Sequence, residues 1–285
     1  MSRSNDVTDF GSNRVTGALL SAFTYFLGFL FFFPVLWMVL NGFKTEDEAN
    51  GTPVFFFEPT LDQFREVTAN IAGRASFSEV YVNSFVIVLV STAIVMILAV
   101  PAAFALSVRP VAKWRDVLFF FISTKFLPVV AGILPVYIIA REFDLLNTRW
   151  SLIIMYTALN LPLAVWMLRS FFQDVPKELI EAAQIDGASL WSQLTSIVMP
   201  IVAPGLAATA LLCFIFAWNE FFLSLQLNTS GAQTASVWVR GFESQREQFI
   251  AKLSAASTLV VLPVVIAGWV AQKRMIRGLA MGAIK

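Results

Sequence analysis

Glu181-Ala182-Ala183-Gln184-Ile185-Asp186-Gly187, followed ten residues after the glycine by Ile197-Val198-Met199-Pro200, is a short charged interruption in a chain built mostly of long apolar runs. Its small residues and its glycine predict an ordered helix–turn–helix on the surface, a shape that suits docking. Pro176 falls in the first turn of the expected helix, where a missing N–H does no harm, and Asp174 is expected to cap it. Glu178 and Glu181 favour that N-terminal end electrostatically. Gly187 is placed to end the helix in a left-handed conformation, and Ser189 to cap a second one. Ala182 and Ala183 leave a surface that a partner backbone or ring can approach closely, with Glu181 beside it to meet a partner Arg or Lys.

The flanking runs set the solvent. Of 285 residues, 58% are hydrophobic and 14% charged, against about 25% charged in a soluble domain. Most of the chain therefore belongs in a lipid bilayer. A crossing helix needs about 20 apolar residues. Charge-sparse windows place six of them, at about 16–43, 80–108, 117–140, 150–168, 197–219 and 253–272. The expected fold is an all-α membrane protein, one transmembrane domain over 1–285, with a helix–turn–helix at about 174–196 between spans four and five. The first apolar run exceeds the roughly 7–15-residue core of a signal peptide and lacks a cleavage site, so it is expected to stay as an anchor. Phe221–Val239 is also free of charge, but Gln226, Asn228, Thr229, Ser230, Gln233, Thr234 and Ser236 make it a poor lipid-facing helix. It reads as a loop or re-entrant segment.

Orientation follows from Lys and Arg near the span ends. With the N-terminus inside, eleven fall on inner segments and eight on outer ones. Both termini are then cytoplasmic, as is the charged segment. The long connection from Lys44 to Glu79 is outside, where its seven acidic residues form either an ordinary solvated loop or a surface for a soluble partner.

Composition also excludes. Net charge is +1, which offers no basis for nucleic-acid binding. The absence of histidine removes most zinc sites, haem ligation and Ser-His-Asp or Cys-His catalysis. The single Cys213 lies in an apolar run and reads as a small buried side chain. No phosphate-binding G-x-x-x-x-G-K-[ST] is present. No catalytic residue, cofactor or metal is expected.

Four polar residues in or beside spans are candidates for a substrate pathway. Lys125 interrupts the third span, where a central charge costs roughly 2.5–3.5 kcal/mol and should face a cavity. It either donates to substrate hydroxyls, pairs with Glu220, or snorkels to an interface. Asn160 satisfies a carbonyl freed by Pro162 or lines the pathway. Asn219 and Glu220 follow Trp218, where Glu220 is equally readable as an interfacial charge beside an aromatic anchor.

Glu181-Ala182-Ala183, Gly187, Ile197 and Met199-Pro200 resemble the signature of binding-protein-dependent ABC importer permeases, with Met199 where leucine is usual. Similarity to the carbohydrate-uptake branch extends over nearly the whole chain, through Pro34-Val35-Leu36-Trp37-Met38 with Lys44, Asn83-Ser84, Asn160-Leu161-Pro162 and Ala217-Trp218-Asn219-Glu220-Phe221. The resemblance implies that Glu181, Ala182, Ala183, Asp186 and Gly187 form coupling helices that dock on an ATPase. It also puts Glu220 near an outer gate or subunit contact. It implies two ATP-binding cassette subunits, a second and usually different permease, and an extracytoplasmic solute-binding protein in a bacterial inner membrane. Ser123-Thr124-Lys125 and Lys252-Leu253-Ser254-Ala255-Ala256-Ser257-Thr258 bring sugar and sugar-alcohol permeases to mind. The competing readings are an ATP-independent secondary transporter or channel, which has no need of a docking helix and would be expected to show internal repeats, and an intramembrane enzyme.

Overall fold

A computed structural model describes residues 14–69, 75–108, 111–126, 128–242 and 249–283, and side chains for all of these except 14–16 and 273–283. Arg3, Arg74, Arg109, Arg246 and Lys285, which enter the charge count, lie outside the described residues, as do the side chains of Arg14, Lys273, Arg274 and Arg277.

Among the described residues, four helices are long and apolar enough to cross a bilayer: α1 (Arg14–Asn41), α4 (Phe77–Ser107), α7 (Arg149–Gln173) and α14 (Ile250–Ala283). The spans expected at 117–140 and 197–219 are bent pairs of helices. In the first, α5 (Trp114–Ser123) runs into a 3-10 turn (Thr124–Phe126) and meets α6 (Val129–Glu142) at 91°. Pro128 stands at the N-cap of α6, where it cannot donate to a helix ladder. In the second, α9 (Leu190–Ser192), a π-helical turn (Gln193–Val198) and α10 (Met199–Ile201) meet α11 (Ala203–Trp218) at 82°. Val202 leaves helical geometry there, and Pro204 in the first turn of α11 has no N–H to bridge the break. Counting each pair once gives six spans.

Two shorter helices, α2 (Glu46–Asn50) and α3 (Asp62–Thr68), lie in the long connection between α1 and α4, and α12 (Phe222–Leu227) and α13 (Ala235–Arg240) in the segment before α14. The core forms around the α4–α7 pair, where Ala99, Ala103 and Ala164 are fully buried and allow close approach. It divides into two clusters along the bundle. One contains Val80, Ile87, Tyr156, Trp218 and Leu223; the other contains Val95, Ala103, Leu168, Phe172 and Val198. The connections sort to matching ends: α2, α3, α12 and α13 at the first, and α8 (Lys177–Ile185) with α9 at the second. No part of the most apolar stretch of α1 is buried, and Tyr25 and Phe31 are about four-fifths exposed. α1 reaches the body through α14.

Pro263 of α14 leaves the Leu259 carbonyl without its helical donor. The Tyr81 hydroxyl donates to that oxygen, and Trp218 Nε1 donates to the next, Val260, at 3.0 Å. α4, α11 and α14 are thus pinned together where α14 is weakest.

Phe221–Val239 is neither a span nor a loose loop. Glu220 Oε1 and Oε2 accept from the Leu223 and Ser224 amides at 2.9 and 3.2 Å, capping α12. Asn147, held at φ 59°, accepts through Oδ1 from the Thr229 and Ser230 amides, and its backbone pairs with Leu227 and Ala232. Asn228 is fully buried and donates to the Thr148 carbonyl at 2.8 Å. Ser84 Oγ accepts from the Ala235 amide at 2.7 Å. The polar residues that disqualify this stretch as a lipid-facing helix are the ones that dock it.

At the end of α1, Lys44 is 1% exposed. Its Nζ donates to Asn41 Oδ1 at 3.0 Å and lies 4.2 Å from the centre of the Trp37 ring and 5.1 Å from that of Phe57. Burial pushes this ammonium below its ordinary value of 10.5, with Glu48 pulling the other way. Between the lowered folded value and 10.5 the unfolded chain binds the extra proton, so stability rises with pH in that window. The thermal midpoint of the wild type in detergent, measured relative to Lys44→Met, is expected to climb as pH approaches 10.5. A constant difference would contradict it.

Candidate coupling site

α8 begins after Pro176, which is its N-cap residue and makes no side-chain cap bond. Asp174 does not cap α8 as expected. It is the C-cap residue of α7, because that helix runs on to Gln173 and leaves Asp174 in helical geometry. The other end follows expectation. Gly187 has φ +74°, its N–H donates to Gln184 O at 3.1 Å, and the Ala188 N–H donates to Ala183 O at 2.9 Å. This is a Schellman closure. Ser189 Oγ then accepts from the Ser192 amide at 3.2 Å, starting α9, and Gln193 Nε2 donates back to Ala188 O at 2.8 Å. The bend is held from both sides.

The two alanines do not share a surface. Ala183 is buried with Ile180 and Leu194 beneath the helix, whereas Ala182 is exposed. A helix turns 3.6 residues per turn, so Leu179, Ala182 and Ile185 line one outer face. Ile185 is 86% exposed, and beyond the bend Leu190 and Trp191 are 58% and 71% exposed. A charged helix–turn–helix carrying this apolar patch is unusual for a surface that faces only water. Leu179, Ile185, Leu190 and Trp191 were not among the sequence candidates, although apolar side chains in a short extramembrane segment are the signal that finds them. Glu181 turns instead to a cleft of about 430 Å³ behind α8, also lined by Trp114, Arg169 and Lys177.

The four pathway candidates stand in different settings. Lys125 is exposed at the α5–α6 corner, without a hydrogen bond or ion pair among the described residues. Glu220 is committed to the α12 amides and forms no ion pair with Lys125, which corrects that pairing. Asn160 is 4% exposed in α7, and its amide makes no hydrogen bond to a described residue, so it does not bridge the Pro162 break. Asn219 is exposed at the C-terminal end of α11 and donates to Ile215 O at 2.9 Å. Cys213 is buried, as its apolar surroundings suggest.

Residues 69–280 match the model of the family described as binding-protein-dependent transport system inner membrane component. The chain belongs to this family. The permease is 37% identical to a probable ABC transporter permease of Sinorhizobium fredii, over 96% of this chain and 98% of that one. It is 34% identical to a sulfoquinovosyl glycerol transport system permease of Agrobacterium fabrum, over 89% and 88%. It is 31% identical to a trehalose transport system permease of Mycobacterium tuberculosis, over 88% and 92%. Its fold matches a chain in the crystal structure of a bacterial ABC transporter that imports alginate, with a TM-score of 0.74 at 20% identity over 96% of the permease and 99% of that chain. The permease is therefore a membrane subunit of a transport system that depends on a binding protein, and ATP hydrolysis belongs to separate subunits.

Proposed function

We propose that the permease moves a sugar or sugar alcohol into the cytoplasm, powered by ATP hydrolysis on subunits that grip α8 and α9. The observation that carries this reading is the exposed apolar patch across the Gly187 bend, built from Leu179, Ala182, Ile185, Leu190 and Trp191. Two of the similar permeases are named for carbohydrate-derived solutes, which supports the substrate class. In this reading Glu181, Ala182, Ala183, Asp186 and Gly187 form the coupling element. Ala183 and Gly187 shape it from within, and Ala182 and Asp186 meet the partner. Two ATPases, a second permease of different sequence and an extracytoplasmic binding protein complete the assembly, with both termini of this chain in the cytoplasm. Closure of the ATPases biases inward-open against outward-open states, which the bent spans accommodate.

Lys125 and Asn160 are the pathway residues in this reading, since the Asn160 amide makes no hydrogen bond to a described residue and is free to meet a polar ligand. Lys125→Met is expected to lower substrate-stimulated ATPase activity roughly tenfold, the size of one lost charge-assisted hydrogen bond, while the subunits still co-purify. Unchanged stimulation would remove Lys125 from the pathway. The function as a whole is tested by uptake into proteoliposomes holding the assembled transporter, binding protein and a panel of labelled sugars and polyols. ATP-dependent uptake of a panel member supports it. Uptake driven by an ion gradient without the ATPase would instead favour a secondary transporter.

A further inference from the structure

Two cations, Arg169 and Lys177, line the cleft behind α8 without an ion pair to a described residue, and Arg115 stands beside it on the Trp114 ring. The Arg169 guanidinium carbon lies 4.1 Å from the centre of the Trp114 ring, and that of Arg115 lies 5.3 Å from the same ring. Arg169 donates only to neutral groups, the Leu106 carbonyl at 3.1 Å and Gln173 Oε1 at 2.9 Å. Neither Arg115, Arg169 nor Lys177 forms an ion pair with a described residue. Arg115 and Arg169 meet at one indole and Lys177 lines the same cleft as Arg169, so an anion bound there would relieve their mutual repulsion. Glu181 is the one carboxylate lining the cleft, and it forms no ion pair with these cations. The Gln184 amide lines the same wall and makes no hydrogen bond to a described residue. A volume of about 430 Å³ accommodates a phosphate with its ester substituent.

Depth narrows the source of that anion. Trp114 opens α5, and one turn further Phe119 and Phe120 are 75% and 66% exposed, as suits side chains in lipid. Tryptophan and arginine just before such a run lie at headgroup level.

We propose that this cleft binds a phosphate-bearing group, supplied by an anionic phospholipid headgroup of the leaflet at this end or by a soluble phosphate. The phosphate bridges Arg169 of α7 to Lys177 of α8, with Arg115 adding charge from α5. It braces the rear of α8 while the Ala182 face stays free. The bracing effect on coupling rests on the function proposed for α8, whereas the binding does not.

Full-length permease in mild detergent is titrated with phosphatidylglycerol, phosphatidylcholine and inorganic phosphate, and binding is followed by native mass spectrometry and by thermal midpoint. Phosphatidylglycerol is expected to bind in preference to phosphatidylcholine. Arg169→Gln is expected to weaken it roughly tenfold. Lys177→Gln removes a side chain with no hydrogen bond in the fold, and is expected to weaken it roughly fivefold. A variant-sensitive shift with inorganic phosphate alone assigns the site to a soluble ligand. Equal binding of both lipids, binding that survives both substitutions, or no binding of any probe overturns the proposal. ATPase co-purification is scored separately, so that failure of the coupling reading leaves the binding result interpretable.

Discussion

Ala182→Glu is expected to detach the permease from its ATPase subunit while leaving it folded, whereas Ala183→Glu is expected to prevent folding. The two residues are neighbours in sequence and opposite in environment. Ala182 is exposed between Leu179 and Ile185, so a carboxylate there stays in water in the free subunit. In the docked complex proposed above it would sit at the centre of an apolar contact. Centrally placed contacts of this kind are worth on the order of 2–4 kcal/mol, which corresponds to roughly 30- to 1,000-fold in affinity. Ala183 is 7% exposed beneath α8, and a carboxylate forced into that position loses its hydration. Co-purification with the ATPase, together with size-exclusion profile and thermal midpoint, separates the outcomes. If Ala182→Glu retains the ATPase at wild-type affinity, the patch across the Gly187 bend is not the docking surface.

Gly231→Ala is expected to release the segment between α12 and α13, lowering the thermal midpoint and abolishing uptake while ATPase association persists. A methyl group on Gly231 would overlap the carbonyl oxygen of Asn147 and lie 2.9 Å from its carbonyl carbon. That obstacle is backbone, so no side chain can swing aside. Overpacking costs about 1–3 kcal/mol even where neighbours can adjust. Here Asn147 is also committed through its backbone and its side chain to residues 227–232. The damage lies at the opposite end of the bundle from α8, which is why the two losses should separate. Simultaneous loss of ATPase binding would show that the ends do not behave independently.

The helix–turn–helix around Gly187 was legible because its signals are local. Gly187 announces a left-handed turn, Ser189 a cap, and the charge count a departure from lipid. Each depends on residues within one or two turns. Asp174 was misplaced because α7 runs on past the apolar stretch that marks its span, and sequence patterns locate helix ends less well than helices. The bends at Pro128 and Val202 were underestimated for a related reason. A window of apolar residues reports membrane residence, and a proline within it leaves open whether the helix kinks gently or turns through nearly a right angle.

Sequence alone determined that this chain belongs in a bilayer, where its apolar runs lie, and where they are interrupted by a bent pair of charged helices. Those properties follow from the cost of charge in hydrocarbon and from backbone rules that act over a few residues. Tertiary structure decided which alanine faces outward, that Glu220 caps α12 instead of meeting Lys125, that Glu181 and the stacked Arg169 share a cleft, and that Asn147 clamps a loop 82 residues away. A side chain's role in these cases depends on which distant backbone amide, ring or cation packing brings within about 3–4 Å, and that is a property of the assembled bundle and not of the local chain.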